Sequence, residues 1–182
     1  LTGGNGTVSG VFGTVANADV IVDVNSNDLD VANLTMGDAL NPTISGIETV
    51  NIDIRDANAT STIDLDKVTG ATNIVLTSSY GTTSMTANKV ANGQKITFND
   101  TDFTTIGVNA GGTADSATNN AHIVLQGKMT ATLTTAAANN DIDGLTIETS
   151  GGASTITLTA ADDFVPGATD TEFVTGRGDS NL

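Results

Sequence analysis

At 182 residues the chain is the size of one domain. It has no cysteine, no tryptophan, two prolines and 3% aromatic residues, which excludes a disulfide-stapled mini-domain and argues against a sandwich built round a buried Trp. Twenty-one acidic residues against six basic ones give a formal charge of −15, so nucleic acid and anionic membrane are repelled and cations are the natural partners.

The first clear element lies in 18–24, where Val20, Val22 and Val24 alternate with Asp19 and Asp23, the pattern of a strand with one polar face. A second alternation runs Val50, Ile52, Ile54 and opens a repeat. Ile52, Ile63, Ile74, Met85 and Ile96 fall 11 residues apart, and Ile54, Leu65, Leu76, Ala87 and Phe98 follow them two residues later. Such pairs mean short strands that each bury one face. The beat continues at Ile106 and Val108, slips across the Gly/Asn-rich stretch 109–121, and resumes at Ile123/Leu125, Leu133, Leu145/Ile147 and Ile156/Leu158. Between the strands stand Asn, Asp and Gly clusters, residues that tolerate left-handed backbone angles or form their own side-chain turns. The Ala run in 134–140 is the best candidate for a short helical turn.

Doubling the beat to 22 aligns 67–76 with 89–98 and predicts an all-β chain. The favoured arrangement is a parallel β-solenoid of about 22-residue coils, with Ile52, Ile74 and Ile96 in one ladder. An antiparallel β-sandwich is the alternative, because hairpins also space strands at about 8 to 12 residues. The chain is expected to form a single β-repeat domain over 1–182, cut from a longer protein. No apolar run approaches the roughly 18 residues of a transmembrane segment.

Chemical content is confined to Asp/Asn clusters: Asn25, Asn27, Asp28 and Asp30; Asp100 and Asp102; Asn140, Asp141 and Asp143; Asp162 and Asp163. Calcium takes six to eight oxygen ligands, and turns of this composition supply them, so calcium is the expected cofactor. The plainer reading of each cluster is an Asx-turn facing water. No cluster has the Gly and terminal Glu spacing of an EF-hand. His122 is the sole histidine and reads as a structural or surface residue. No basic cluster or aromatic platform accompanies carboxylate pairs such as Asp64 and Asp66, so no enzyme activity is expected.

Two end segments carry a resemblance. Leu1-Thr2-Gly3-Gly4-Asn5-Gly6 and Thr175-Gly176-Arg177-Gly178-Asp179-Ser180-Asn181-Leu182 resemble the repeats-in-toxin nonapeptide G-G-x-G-x-D-x-U-x, which builds calcium-binding parallel β-rolls. Val8 and Ser180 stand where that motif has Asp. Phrases such as Ile47-Glu48-Thr49-Val50-Asn51-Ile52 and Val68-Thr69-Gly70-Ala71-Thr72-Asn73-Ile74 are similar to the Thr/Ala/Asn-rich repeats of bacterial surface-layer (S-layer) proteins and large repeat adhesins. The resemblance implies an extracellular, calcium-dependent, self-assembling coat at the cell surface. Other copies of the chain and cell-surface polysaccharide are the expected partners. An adhesin stalk or ligand-binding repeat module is the alternative.

Overall fold

The computed structural model describes residues 7–10, 19–24, 28–37, 41–55, 58–100, 102–110, 120–127, 130–135, 144–151, 154–159, 173–177 and 180–181. Among these every element is a strand, and every strand pair is parallel. The 8-stranded sheet orders β1 (Thr7–Gly10), β3 (Val31–Met36), β5 (Thr49–Ile54), β8 (Asn73–Ser78), β10 (Lys95–Phe98), β12 (Asn120–Gln126), β14 (Gly144–Ser150) and β16 (Phe173–Arg177). The 6-stranded sheet runs from β6 (Thr60–Asp64) through β9 (Ser84–Val90), β11 (Thr105–Ala110), β13 (Thr130–Thr135) and β15 (Ser154–Thr159) to β17 (Ser180–Asn181). A 3-stranded sheet holds β2 (Val20–Val22), β4 (Thr43–Ser45) and β7 (Val68–Thr69). Successive strands of the chain fall on different sheets, so the chain winds as a parallel β-solenoid and the antiparallel sandwich is excluded.

Alternation sets the walls. In the largest sheet Ala32, Val50, Ile74, Ile96, Ile123 and Ile147 stack in register. Leu34, Ile52, Leu76, Phe98 and Leu125 form a second ladder beside them. All of these are buried, and the second wall adds Ile63, Met85, Ala87, Ile106 and Val108. The third wall contributes Ile21, Ile44 and Val68, stacked in register. Phe98 meets Phe103 edge-on at 6.1 Å, a favourable aromatic geometry.

The 22-residue period is local. Ile74 does stack on Ile96, but Ile52 pairs with Leu76 and Val50 takes the place beside Ile74. Thr49 pairs with Asn73, 24 residues on, whereas Val31 pairs with Thr49 after 18 and Lys95 with His122 after 27. The segments between paired strands differ in length, while the in-register pairing keeps the same face of each strand buried. The expected helical turn is not formed at its start, because Thr134 and Thr135 belong to β13; the remainder of 134–140 lies outside the described residues.

Among the described residues the third wall ends at β7. In the next coil a turn at 91–94 replaces a strand, and the buried Gln94 closes the edge: its Nε2 donates to Val68 O at 3.2 Å, and its Oε1 accepts from Ala91 N at 2.8 Å. Both ends of the amide are therefore satisfied, as burial of a polar side chain requires.

Candidate metal centre

The site grows from an inversion in β2. Val20, Val22 and Val24 face outward, 65%, 48% and 83% exposed, while Ile21 packs on the core and Asp23 is buried. The alternation was legible, but its sense is opposite to the expected one. Cross-strand pairing decides it: Ile21 is held opposite Ile44, and Asp23 N donates to Ser45 O at 2.8 Å. One residue further, Asp23, Gly46 and Gly70 share a corner. Gly46 has φ +74°, and a Cβ there would lie 2.4 Å from Asp23 O. Only glycine fits that approach, which brings the Asp23 backbone close to the neighbouring coil.

Further along the chain, Asp28 and Asp30 come back to the same place. Asp30 is fully buried, Asp23 is 5% exposed and Asp28 is half-buried. One carboxylate oxygen from each lies within 4.8 Å of the others. The following coil fixes Asp30: its N–H donates to Glu48 Oε2 at 2.9 Å, and its carbonyl accepts from Thr49 N at 3.1 Å. Asp23 Oδ1 accepts from Val24 N at 2.8 Å. Two like charges about 4 Å apart repel by about 4 kcal/mol at an effective dielectric constant near 20. A cation among them converts that repulsion into attraction. The donor set is all carboxylate oxygen, which suits a hard cation rather than one favouring thiolate or imidazole. The three aspartates could therefore hold a metal ion.

Of the expected ligands, Asp28 and Asp30 are brought together. Asp23, which sequence reasoning assigned to a polar strand face, completes the group. Asn25 and Asn27, between them in the chain, lie outside the described residues, as do Asn140, Asp141, Asp143, Asp162 and Asp163. Asp100 and Asp102 form a turn instead: Asp100 Oδ1 accepts from Asp102 N at 3.0 Å, and its Oδ2 accepts from Ser78 N of the preceding coil at 3.1 Å. They belong to no group of three acidic or metal-ligating side chains among the described residues. Asp64 and Asp66 flank Lys89 Nζ at 2.8 and 3.5 Å. His122 Nε2 lies 3.3 Å from Glu148 Oε2 on the outer face of the largest sheet.

Set against known proteins, the chain matches no family model, no curated protein and no solved structure. The solenoid and its aspartate cluster carry the functional argument.

Proposed function

We propose that the chain is a structural, self-assembling segment of a bacterial surface layer or related surface coat, with calcium bound at Asp23, Asp28 and Asp30. The observation that carries this reading is the cluster of Asp23, Asp28 and Asp30, two of them buried, at a corner of the solenoid. A coat needs rigid building blocks, and a solenoid holds each coil chiefly through its neighbours. An ion there ties the first coil to the wall that follows. It also offsets part of the −15 charge, which otherwise opposes packing within the chain and between copies. Calcium is preferred to magnesium because its coordination tolerates irregular geometry, whereas magnesium demands a near-ideal octahedron and sheds water reluctantly. The role is non-catalytic, the location is extracellular, and the partners are other copies and cell-surface polysaccharide.

Melting the chain in chelator, in millimolar calcium and in millimolar magnesium, with particle size followed by light scattering, tests the proposal. Calcium should raise both the melting temperature and the particle size, and magnesium should do less. Identical melting and size in all three conditions would leave a metal-free adhesin stalk as the better reading.

A further inference from the structure

The outer face of the largest sheet carries a groove of about 490 Å³ whose polar lining is Asn33, Thr35, Asn51, Asp53, Thr77 and Asn99, with Val75 also contributing. That size lies within the range of small-ligand sites, roughly 300 to 1,000 Å³. Strand register builds it: Asn33 stands beside Asn51, and Thr35, Asp53 and Thr77 form the adjacent row. These residues occupy the outward positions between Leu34, Ile52 and Leu76, so the hydrophobic ladder beneath holds them in place.

The row is rich in planar polar groups with bonding capacity left over. Asn51 Nδ2 donates to Asn33 Oδ1 at 2.8 Å, which leaves the Asn33 amide N–H groups and the Asn51 carbonyl oxygen to bond a ligand. The Thr77 hydroxyl donates to Ile52 O at 3.3 Å and keeps its lone pairs. The Asp53 carboxylate accepts from Ser79 N at 2.9 Å and from Arg55 Nε at 3.0 Å, which fixes its plane and balances its charge. The residue after Ser79 is Tyr80, 67% exposed and the one large aromatic among the exposed hydrophobic side chains described.

We propose that this groove binds a neutral oligosaccharide, with Asn33, Asn51, Asp53 and Thr77 bonding sugar hydroxyls and the Tyr80 ring packing against a sugar face. Hydroxyls of a sugar both donate and accept, and the row offers both kinds of partner. The Arg55–Asp53 pair brings no net charge to the groove, and the overall charge of −15 repels acidic sugars. The inference gives the proposed polysaccharide partner a place on the chain. It needs neither calcium nor assembly.

The test is amide NMR on the isotope-labelled chain, titrated with maltoheptaose, cellopentaose and chitopentaose, and with polygalacturonate as the acidic comparison. At least one neutral sugar should shift the amide signals of Asn33, Asn51, Thr77 and Tyr80 at millimolar concentration. Tyr80→Ala, at an exposed position, and Asn51→Ala should each weaken that binding by about tenfold, the equivalent of roughly 1.4 kcal/mol. Thr157→Ala, on the outer face of β15, should leave it unchanged. Three results overturn the proposal: no shifts with any neutral sugar, binding that survives both Tyr80→Ala and Asn51→Ala, or tighter binding of polygalacturonate. Because neither melting nor particle size is read, such failure leaves the calcium-dependent coat reading standing, and failure of that reading leaves this one intact.

Discussion

The coils between 49 and 98 and the coil entered at β2 follow the same winding but meet different physics. In the former, inward positions are filled by Val50, Ile52, Ile54, Ile63, Leu65, Ile74, Leu76, Ile96 and Phe98, all buried. In the latter, Asp23 and Asp30 are buried while Val20, Val22 and Val24 are exposed. Charge follows the same division. The first 54 residues hold seven acidic residues and no basic one, whereas 55–95 hold three acidic and four basic residues. The middle coils therefore contain their own counter-ions, and Lys89 sits between Asp64 and Asp66. At the first coil the counter-charge has to come from solution. Apolar burial dominates one region, and cation binding is expected to matter most in the other.

The largest effect should come from the apolar region. Ile74→Ala removes a fully buried side chain from the ladder between Val50 and Ile96, and should cost about 2 to 5 kcal/mol in urea unfolding. Hydrogen exchange should lose protection chiefly in β5, β8 and β10, because a solenoid transmits strain mainly to neighbouring coils. Protection lost equally at β14 would break the picture of locally held coils.

Asp30→Asn comes next. The parent chain should gain about 2.7 kcal/mol at calcium a hundredfold above its dissociation constant, if only the folded form binds. The variant should lose most of that increment. In chelator it should melt no lower than the parent, because one of three crowded negative charges has gone. A full calcium increment in the variant would remove the aspartate triad as the site.

Gly46→Ala should cost about 1 to 3 kcal/mol, since it adds a clash with Asp23 O to a left-handed backbone angle. Gly93→Ala is the comparison. Its φ is +85°, but nothing lies within 4 Å of the added Cβ, so only the backbone term of roughly 1 kcal/mol remains. Calcium affinity should fall in the first variant and not in the second. Equal affinity in both would mean that Asp23 is not positioned by this corner.

The sequence made the walls legible because buried and half-buried positions alternate along β3, β5 and most of β8 and β9, and parallel stacking was implied by similar residues recurring at near-constant distance. The exact partners were not legible. A ladder is chosen by turn lengths, and Ile52 fits as well opposite Leu76 as opposite Ile74. Asp28 and Asp30 were recognisable as oxygen ligands within one turn. Asp23 was not, because Ile21 and the valines place apolar residues on both faces of β2, and alternation alone cannot say which face is inside. The register of Ile21 against Ile44, a long-range contact, settles the matter. The outer groove was invisible for a related reason: Asn33, Asp53 and Thr77 are far apart in the chain and meet only through strand pairing.

The smallest predicted effect tests whether Lys89 supplies the middle coils with their counter-charge. Lys89 has a left-handed φ of 56°, beside an irregularity in the pairing of β9 with β11. A hydrogen bond to Asp64 raises its pKa, outweighing desolvation, with the Asp64 and Asp66 charges adding to the rise. For Asp66, desolvation pushes upward, but a side-chain hydrogen bond with Asn41, the nearby Lys89 and the Lys67 charge together bring the net value below 3.8. The Asp66 contribution is thus complete above its unfolded pKa and disappears as pH falls through the lower folded value. The Lys89 contribution is complete below 10.5 and disappears as pH rises through its higher folded value. Between those limits the stability from this cluster should be flat. Lys89→Gln should lower the melting temperature slightly across the plateau and reduce the alkaline loss. Both differences should shrink in molar salt, because the groups are exposed and screened. A melting difference between parent and variant that persists undiminished in molar salt would mean that Lys89 acts through its backbone bend or the packing of its stem, and the contrast between internally and externally neutralised coils would lose its electrostatic basis.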